Sequence, residues 1–175
     1  MFDMTKQLSH KNLTSALESG SDLNSMNFAG LTINGIDFSG KKLTGCSFAH
    51  SCFTDCSFTG TRVRLSFFDF ARFVHCTFDK VDIQFSCFAG SIFGNTVFTD
   101  SELLINNFTG ITTYECGFKD SDLYCSRFIR CSLHKTPFEN CNIKKVSFFK
   151  NIYDDVSFKS SNTRVAHFDT EEFVK

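Results

Sequence analysis

The sequence lacks any apolar run of the roughly 18 to 20 residues that a membrane-spanning helix requires. Its first residues, MFDMTKQLSHKNL, lack the basic-then-apolar order of a secretory leader. A soluble protein is therefore expected, with no membrane insertion and no cleaved Sec-type leader. An excess of either charge is also missing, since 18 Lys and Arg stand against 19 Asp and Glu. Without a strong positive field, direct nucleic-acid binding is not expected, and by net charge the chain is no acidic mimic of DNA. No glycine loop has the spacing that cradles phosphates. Tryptophan is absent and Pro137 is the single proline.

What is present is phenylalanine, 24 copies in 175 residues, a length that suits one domain with a sizeable core. Phe28, Phe38, Phe48, Phe58, Phe68, Phe78, Phe88, Phe98, Phe108, Phe118, Phe128, Phe138, Phe148, Phe158 and Phe168 lie ten apart without exception. Midway between them fall mostly large apolar residues such as Leu23, Ile33, Phe53, Phe73 and Phe93, with Thr113 and Thr163 as polar exceptions. The underlying period is five. Two residues before each centre the chain is mostly small, as at Cys46, Ser51, Cys56, Ser66, Ser101 and Ser126. Eight of the ten glycines, among them Gly60 and Gly90, fall two after a centre or in that frame. There a corner can use the positive φ that glycine adopts cheaply.

A period of five fits neither helix nor strand. A coiled solenoid with one short side per five residues accounts for it. The units SDLNS, MNFAG, IDFSG, SDLYC and CNIKK follow the pattern Ala-Asp/Asn-Leu-X-X, and residues 21–170 resemble the pentapeptide-repeat family. The resemblance implies an all-β fold, a right-handed quadrilateral β-helix with four units per coil. Thirty units make about 7.5 coils, and at ~4.8 Å per layer a rod about 35 Å long. Phe28, Phe48, Phe68, Phe88, Phe108, Phe128, Phe148 and Phe168 then form a ladder on one side. Phe38, Phe58, Phe78, Phe98, Phe118, Phe138 and Phe158 form another on the opposite side.

Residues 1–20 fall outside the frame. SHKNLTSALESG reads as a short capping helix, with Ser9 as N-cap, Leu13 and Leu17 on one face and Gly20 at its end. Covering the first coil protects an edge that would otherwise pair with another chain. Residues 171–175 form a C-terminal tail, with Phe173 still in frame. No C-terminal dimerisation helix follows, so the last coil reads as open and the protein as a monomer or a weak end-to-end dimer.

Nine cysteines, an odd number without the spacing of a secreted scaffold, point to reduced thiols in a cytoplasmic compartment. Cys46, His50, Cys52 and Cys56 look like a ligand cluster, but Cys46 and Cys56 occupy the small inward position and His50 a corner facing away, so no metal is expected. Cys56 and Cys76 should stack within disulfide reach, but their parallel side chains and a reducing compartment argue against a bond. His10, His50, His75, His134 and His167 are scattered over different faces. The acid pairs Asp154–Asp155 and Glu171–Glu172 read as solvated surface. The expectation is no enzyme and no cofactor. Catalysis would need an extra pocket between the N-terminal helix and the first coil.

On the outer surface Leu65, Phe85 and Ile105 lie twenty apart at a corner position and should stack on successive coils. Cys125 continues the column, with Phe67, Leu104 and Tyr124 adjoining and Arg62, Arg64 and Arg72 at the fringe. A connected apolar patch of this kind marks a partner-binding stripe, and the partner expected is another protein. Among pentapeptide-repeat proteins two groups bear on function. One is the virulence effectors that specialised secretion systems deliver into host cells, with which the polar, Ser/Thr-containing N-terminus is compatible. The other modulates type II topoisomerases by DNA mimicry and confers quinolone or toxin resistance. From that second group this chain departs in charge, in having no dimerisation helix and in having no projecting loop.

Overall fold

Among the described residues every β-pairing is parallel and joins a residue to the one twenty further on: Leu23 to Leu43, Ile33 to Phe53, Phe98 to Phe118, Phe128 to Phe148. The computed structural model describes residues 6–170 and Phe173, so the first five residues and most of the expected C-terminal tail lie outside it. The pairings gather into four parallel sheets of five, three, seven and four strands, one for each side of a β-solenoid of about seven turns. The first side starts at Leu23–Asn24 and the third at Thr32–Asn34. The second carries Phe28, Phe48 and their successors and continues as bridges Asn27–Ser47–Phe67–Cys87–Asn107–Arg127. The fourth carries Phe38, Phe58 and theirs.

Both expected ladders are present. Successive rings of each stack near-parallel with centroids 4.5–5.4 Å apart. The two meet edge to face across the interior, as at Phe108 and Phe118. A third stack, Phe53–Phe73–Phe93, lines the third side.

The small inward residues do more than fill space. Ser101 Oγ donates to the carbonyl of Phe78 and accepts from the N–H of Val81, both in the coil below. Ser51, Ser66 and Ser126 repeat the donation twenty-three residues back, and the Cys46, Cys131 and Cys141 thiols make it as weaker donors. A short side chain with one polar atom is what reaches a carbonyl that would otherwise be buried without a partner. No buried side-chain polar atom among the described residues lacks a partner. The polar exception Thr113 is fully buried because Thr136 Oγ1 lies 2.8 Å from its hydroxyl.

The helix spans His10–Glu18. Ser9 Oγ accepts from the Asn12 N–H while Asn12 Oδ1 accepts from the Ser9 N–H, a reciprocal capping box. At the other end the Gly20 N–H reaches the Leu17 carbonyl and the Ser21 N–H the Ala16 carbonyl, the Schellman pattern, with Gly20 at φ +73°. Leu13 is buried in the common core and Leu17 packs against it. Before the helix the structure departs from the expected boundary. Gln7 bridges Asn27, and the Leu8 N–H donates to the Asn27 carbonyl, so the frame begins one step beneath the first coil. Two extended residues are enough to add that rung, and they are too few to show a repeat.

Candidate interaction surface

Each five-residue side ends in a corner whose last residue takes the left-handed conformation. From Gly20 to Ser160 every fifth residue has positive φ without exception, glycines at 62–73° and the others at 45–62°. Asp, Asn and Ser tolerate such corners. Leu65, Phe70, Phe85 and Ile105 do not suit them, yet hold φ of 50°, 56°, 55° and 57°. A left-handed residue with a bulky side chain costs about 1–2 kcal/mol, and a β-branched one is a rare outlier. The corner N–H bonds of Leu65 and Phe85 are 3.3 Å long, while those of Ile105 and Phe70 keep ordinary lengths of 3.0 and 2.8 Å.

Burial offsets this cost only in part, because the four side chains are 57, 62, 51 and 42 % exposed, in the same order. Leu65, Phe85 and Ile105 sit one coil apart along the edge between the first and second sides. Phe67 is exposed beside them on the second side. Leu104 and Tyr124 are half-buried on the first side, and the Lys145 ammonium stands 5.6 Å over the Tyr124 ring. Half-buried Cys125 extends the column. The residues of the expected stripe thus surround one edge.

Phe70 is missing from the expected stripe. It lies at the opposite edge of the second side, stacks on His50 with centroids 5.2 Å apart, and lays its ring against Gly90, where an added Cβ would fall 2.6 Å from it. The available signal was its column, which places glycine at 30, 90 and 110 where Phe70 stands. The expected arginine fringe needs correcting. Arg72 belongs to the third side, in register with Cys52 and Ile92. Arg62 and Arg64 both bind the Asp82 carboxylate, and Arg64 also donates to the Asp82 carbonyl. Partial burial works to raise the Asp82 pKa, but the Arg64 hydrogen bond and charge outweigh it and hold the carboxyl below its ordinary value.

Cys46 and Cys56 point into the coil beneath the second and fourth sides, Cys52 is on the third side, and His50 is at a corner. Among the described residues no three His, Cys, Asp or Glu converge as metal ligands. All nine thiols are free, and burial pushes those of Cys131 and Cys141 up to about 11. A depression of about 270 Å³ does lie between the helix and the first coil, lined by Thr14, Leu17, Glu18, Gly35, Ile36 and Asp37. In it the Thr14 hydroxyl donates to the His10 and Lys11 carbonyls and the Asp37 carboxylate accepts from the Ser39 N–H.

A family model described as "Pentapeptide repeats" matches residues 21–60 as eight copies, and the same register runs on through every later corner. The chain belongs to the pentapeptide-repeat family. No curated protein matches the sequence. Among solved structures, this pentapeptide-repeat chain is similar to HetL, a pentapeptide repeat protein involved in heterocyst differentiation regulation from the cyanobacterium Nostoc sp. strain PCC 7120. Identity is 10%, covering 91% of this chain and 97% of that one, with a TM-score of 0.48. It is also similar to trypsin-treated QnrB1, a plasmid-mediated fluoroquinolone resistance protein, at 17% identity over 79% and 78% of the two chains and a TM-score of 0.36. A pentapeptide repeat protein from the Arabidopsis thaliana thylakoid lumen matches at 18% identity over 68% and 66%, with a TM-score of 0.27. Likenesses this distant say nothing of what this chain binds. Pentapeptide-repeat proteins are mostly non-catalytic binding proteins, and no helix among the described residues is long and apolar enough to cross a membrane.

Proposed function

We propose that this pentapeptide-repeat protein is a non-catalytic binding protein that meets another protein through the apolar edge formed by Leu65, Phe85 and Ile105, with Phe67, Phe70, Leu104 and Tyr124 around it. One observation carries the reading: bulky apolar side chains occupy corners where they strain the backbone and remain exposed. Folding returns only part of that cost, and a connected group of large apolar side chains left exposed at such corners points to an interface. A cytoplasmic, reducing compartment accords with nine free thiols. The virulence-effector reading gains no support from the relatives' descriptions, which name heterocyst differentiation and fluoroquinolone resistance.

The test is chemical cross-linking in cells that make the protein, comparing wild type with the L65S/F85S/I105S variant. A control variant carries serine at the exposed corners Asp55, His75 and Asn95. The expected result is a cross-linked partner lost in the first variant and kept in the second, with both variants folded by circular dichroism. Retention of every cross-link in the L65S/F85S/I105S variant would overturn the reading.

A further inference from the structure

The second side changes character along the rod. From Asn27 to Gly110 its outward positions carry a single formal charge, Asp69, whose carboxylate accepts from the Cys87 thiol at 2.9 Å. Phe67, Phe70 and the edge residues Leu65, Phe85 and Ile105 all belong to this stretch. Beyond it the same side and its two edges present Arg127, Arg130, Lys145 and Lys150, with Lys144 beside them on the first side. Among the described residues none of these five forms an ion pair. On the other sides Lys42, Arg62, Arg64, Lys80, Lys119 and Lys135 each pair with a carboxylate, and Lys41, Arg72 and Lys159, which among the described residues form no ion pair, fall singly on three different sides. The one described acid on the upper second side, Asp169, accepts from the Lys150 backbone N–H. Five cations against the one described carboxylate leave this end net positive, and an acidic ligand relieves the repulsion among them.

The backbone limits the form such a ligand can take. On this side the N–H and C=O groups point along the rod and bond the coils above and below: Ser47 N–H to Met26, Phe67 N–H to Cys46, Phe48 N–H to Phe67, Phe68 N–H to Cys87. Among the described residues of this side no free strand edge faces outward, so an extended peptide lying across it would find no backbone to pair with. A segment that satisfies its own backbone, an α-helix, meets the surface without that loss. The spacings agree. Coils recur every ~4.8 Å and helix turns every ~5.4 Å, so the four coils from Leu65 to Lys145 span about 19 Å, or roughly 13 helical residues.

Resting on the reading that this edge is a binding surface, we infer that the second side receives an amphipathic helix of a partner protein lying along the rod. Its apolar residues at i, i+3/i+4 and i+7 cover Leu65, Phe85 and Ile105, and its acidic residues at one end face Arg127, Arg130, Lys144, Lys145 and Lys150. The lengthwise segregation favours a directional polypeptide. An anionic membrane would be met more evenly by apolar and basic residues interspersed.

The probe is a displayed library of random peptides about 16 residues long, selected on the immobilised full-length protein. Vesicles of equal parts phosphatidylcholine and phosphatidylserine are run alongside. Enriched peptides are expected to carry helically spaced apolar residues followed or preceded by a block of acids. Their affinity is expected to fall at least about tenfold in the charge-reversed R130E/K150E variant and also in L65S/F85S/I105S. Enriched peptides that lack acids and bind R130E/K150E unchanged would overturn the helix inference. If their binding is still lost in L65S/F85S/I105S, the proposed function stands without it. Vesicle binding without peptide enrichment assigns the side to a membrane and overturns the inference, and so does an absence of both.

Discussion

Gly90 and Gly60 occupy equivalent strained corners with different surroundings, and replacing each by alanine separates two costs. Both have positive φ, 69° and 65°. At Gly60 nothing lies within 4 Å of an added Cβ, whereas at Gly90 the Phe70 ring lies 2.6 Å away. Gly60→Ala therefore pays about 1–2 kcal/mol for a left-handed alanine, less about 0.5–1 kcal/mol for the stiffer unfolded chain. The net loss is about 1 kcal/mol. Gly90→Ala pays the same and also drives the Phe70 ring from its seat. That ring is 62 % exposed, so the burial forfeited is a little over a third of a full phenylalanine, about 1 kcal/mol. The expected loss at Gly90 is thus about 2 kcal/mol, measured by urea titration followed by circular dichroism. Repeating both substitutions in a Phe70→Ala background removes the ring, and the two glycines should then cost the same. A difference of about 1 kcal/mol surviving in that background would refute the seat. Equal costs in the wild-type background would refute it as well.

Three further outcomes are expected. Phe98→Ala removes a ring stacked at 4.6 and 4.7 Å on Phe78 and Phe118 and should cost about 3–5 kcal/mol in the same titration, a loss below about 1 kcal/mol being incompatible with the ladder. Ser101→Ala strands the Phe78 carbonyl and the Val81 N–H and should cost about 1–3 kcal/mol; Ser101→Cys, the residue found at this position in other coils, should cost less than half as much. Native alkylation with iodoacetamide, read by intact mass, should modify the half-buried Cys52 and Cys125 first at neutral pH, Cys87 more slowly because burial and the Asp69 carboxylate raise its pKa, and all nine thiols after denaturation. Rapid native modification of Cys131 or Cys141, whose thiols burial holds at about 11, would contradict their placement.

The architecture was legible because the solenoid interior recurs at a fixed interval: each side puts one residue inward, almost always a large one, so Phe28 to Phe168 record the path of the chain directly. Corner glycines were legible for the same reason. The strain at Leu65, Phe85 and Ile105 was not, since residue type alone does not say that a corner keeps its left-handed backbone when glycine is replaced. Phe70 escaped because the rest of its column is glycine or polar, with no second apolar residue to mark a stripe, and its contacts with His50 and Gly90 come from the coils below and above. Pairing across coils hid the rest. Arg62 and Arg64 look like free cations until Asp82 is placed between them, and Thr113 looks like a defect until Thr136 meets it. Gln7 and Leu8 join the frame with too short a stretch to carry a pattern.

The constant twenty-residue step between paired strands has a kinetic consequence. In a sandwich or barrel, strands far apart in the chain must find one another, and folding waits on the closure of long loops. Here each rung closes the same short loop on the rung before it, whether at Leu23 or at Phe148. A step of 20 in a chain of 175 gives a relative contact order of about 0.11, in the range of helical bundles and not of all-β domains. The chain can be wound instead of searched into shape, and stopped-flow circular dichroism should find it refolding on a millisecond scale closer to that of helical proteins. A partner that needs several coils at once would then find its surface assembled rung by rung, outward from whichever coil forms first.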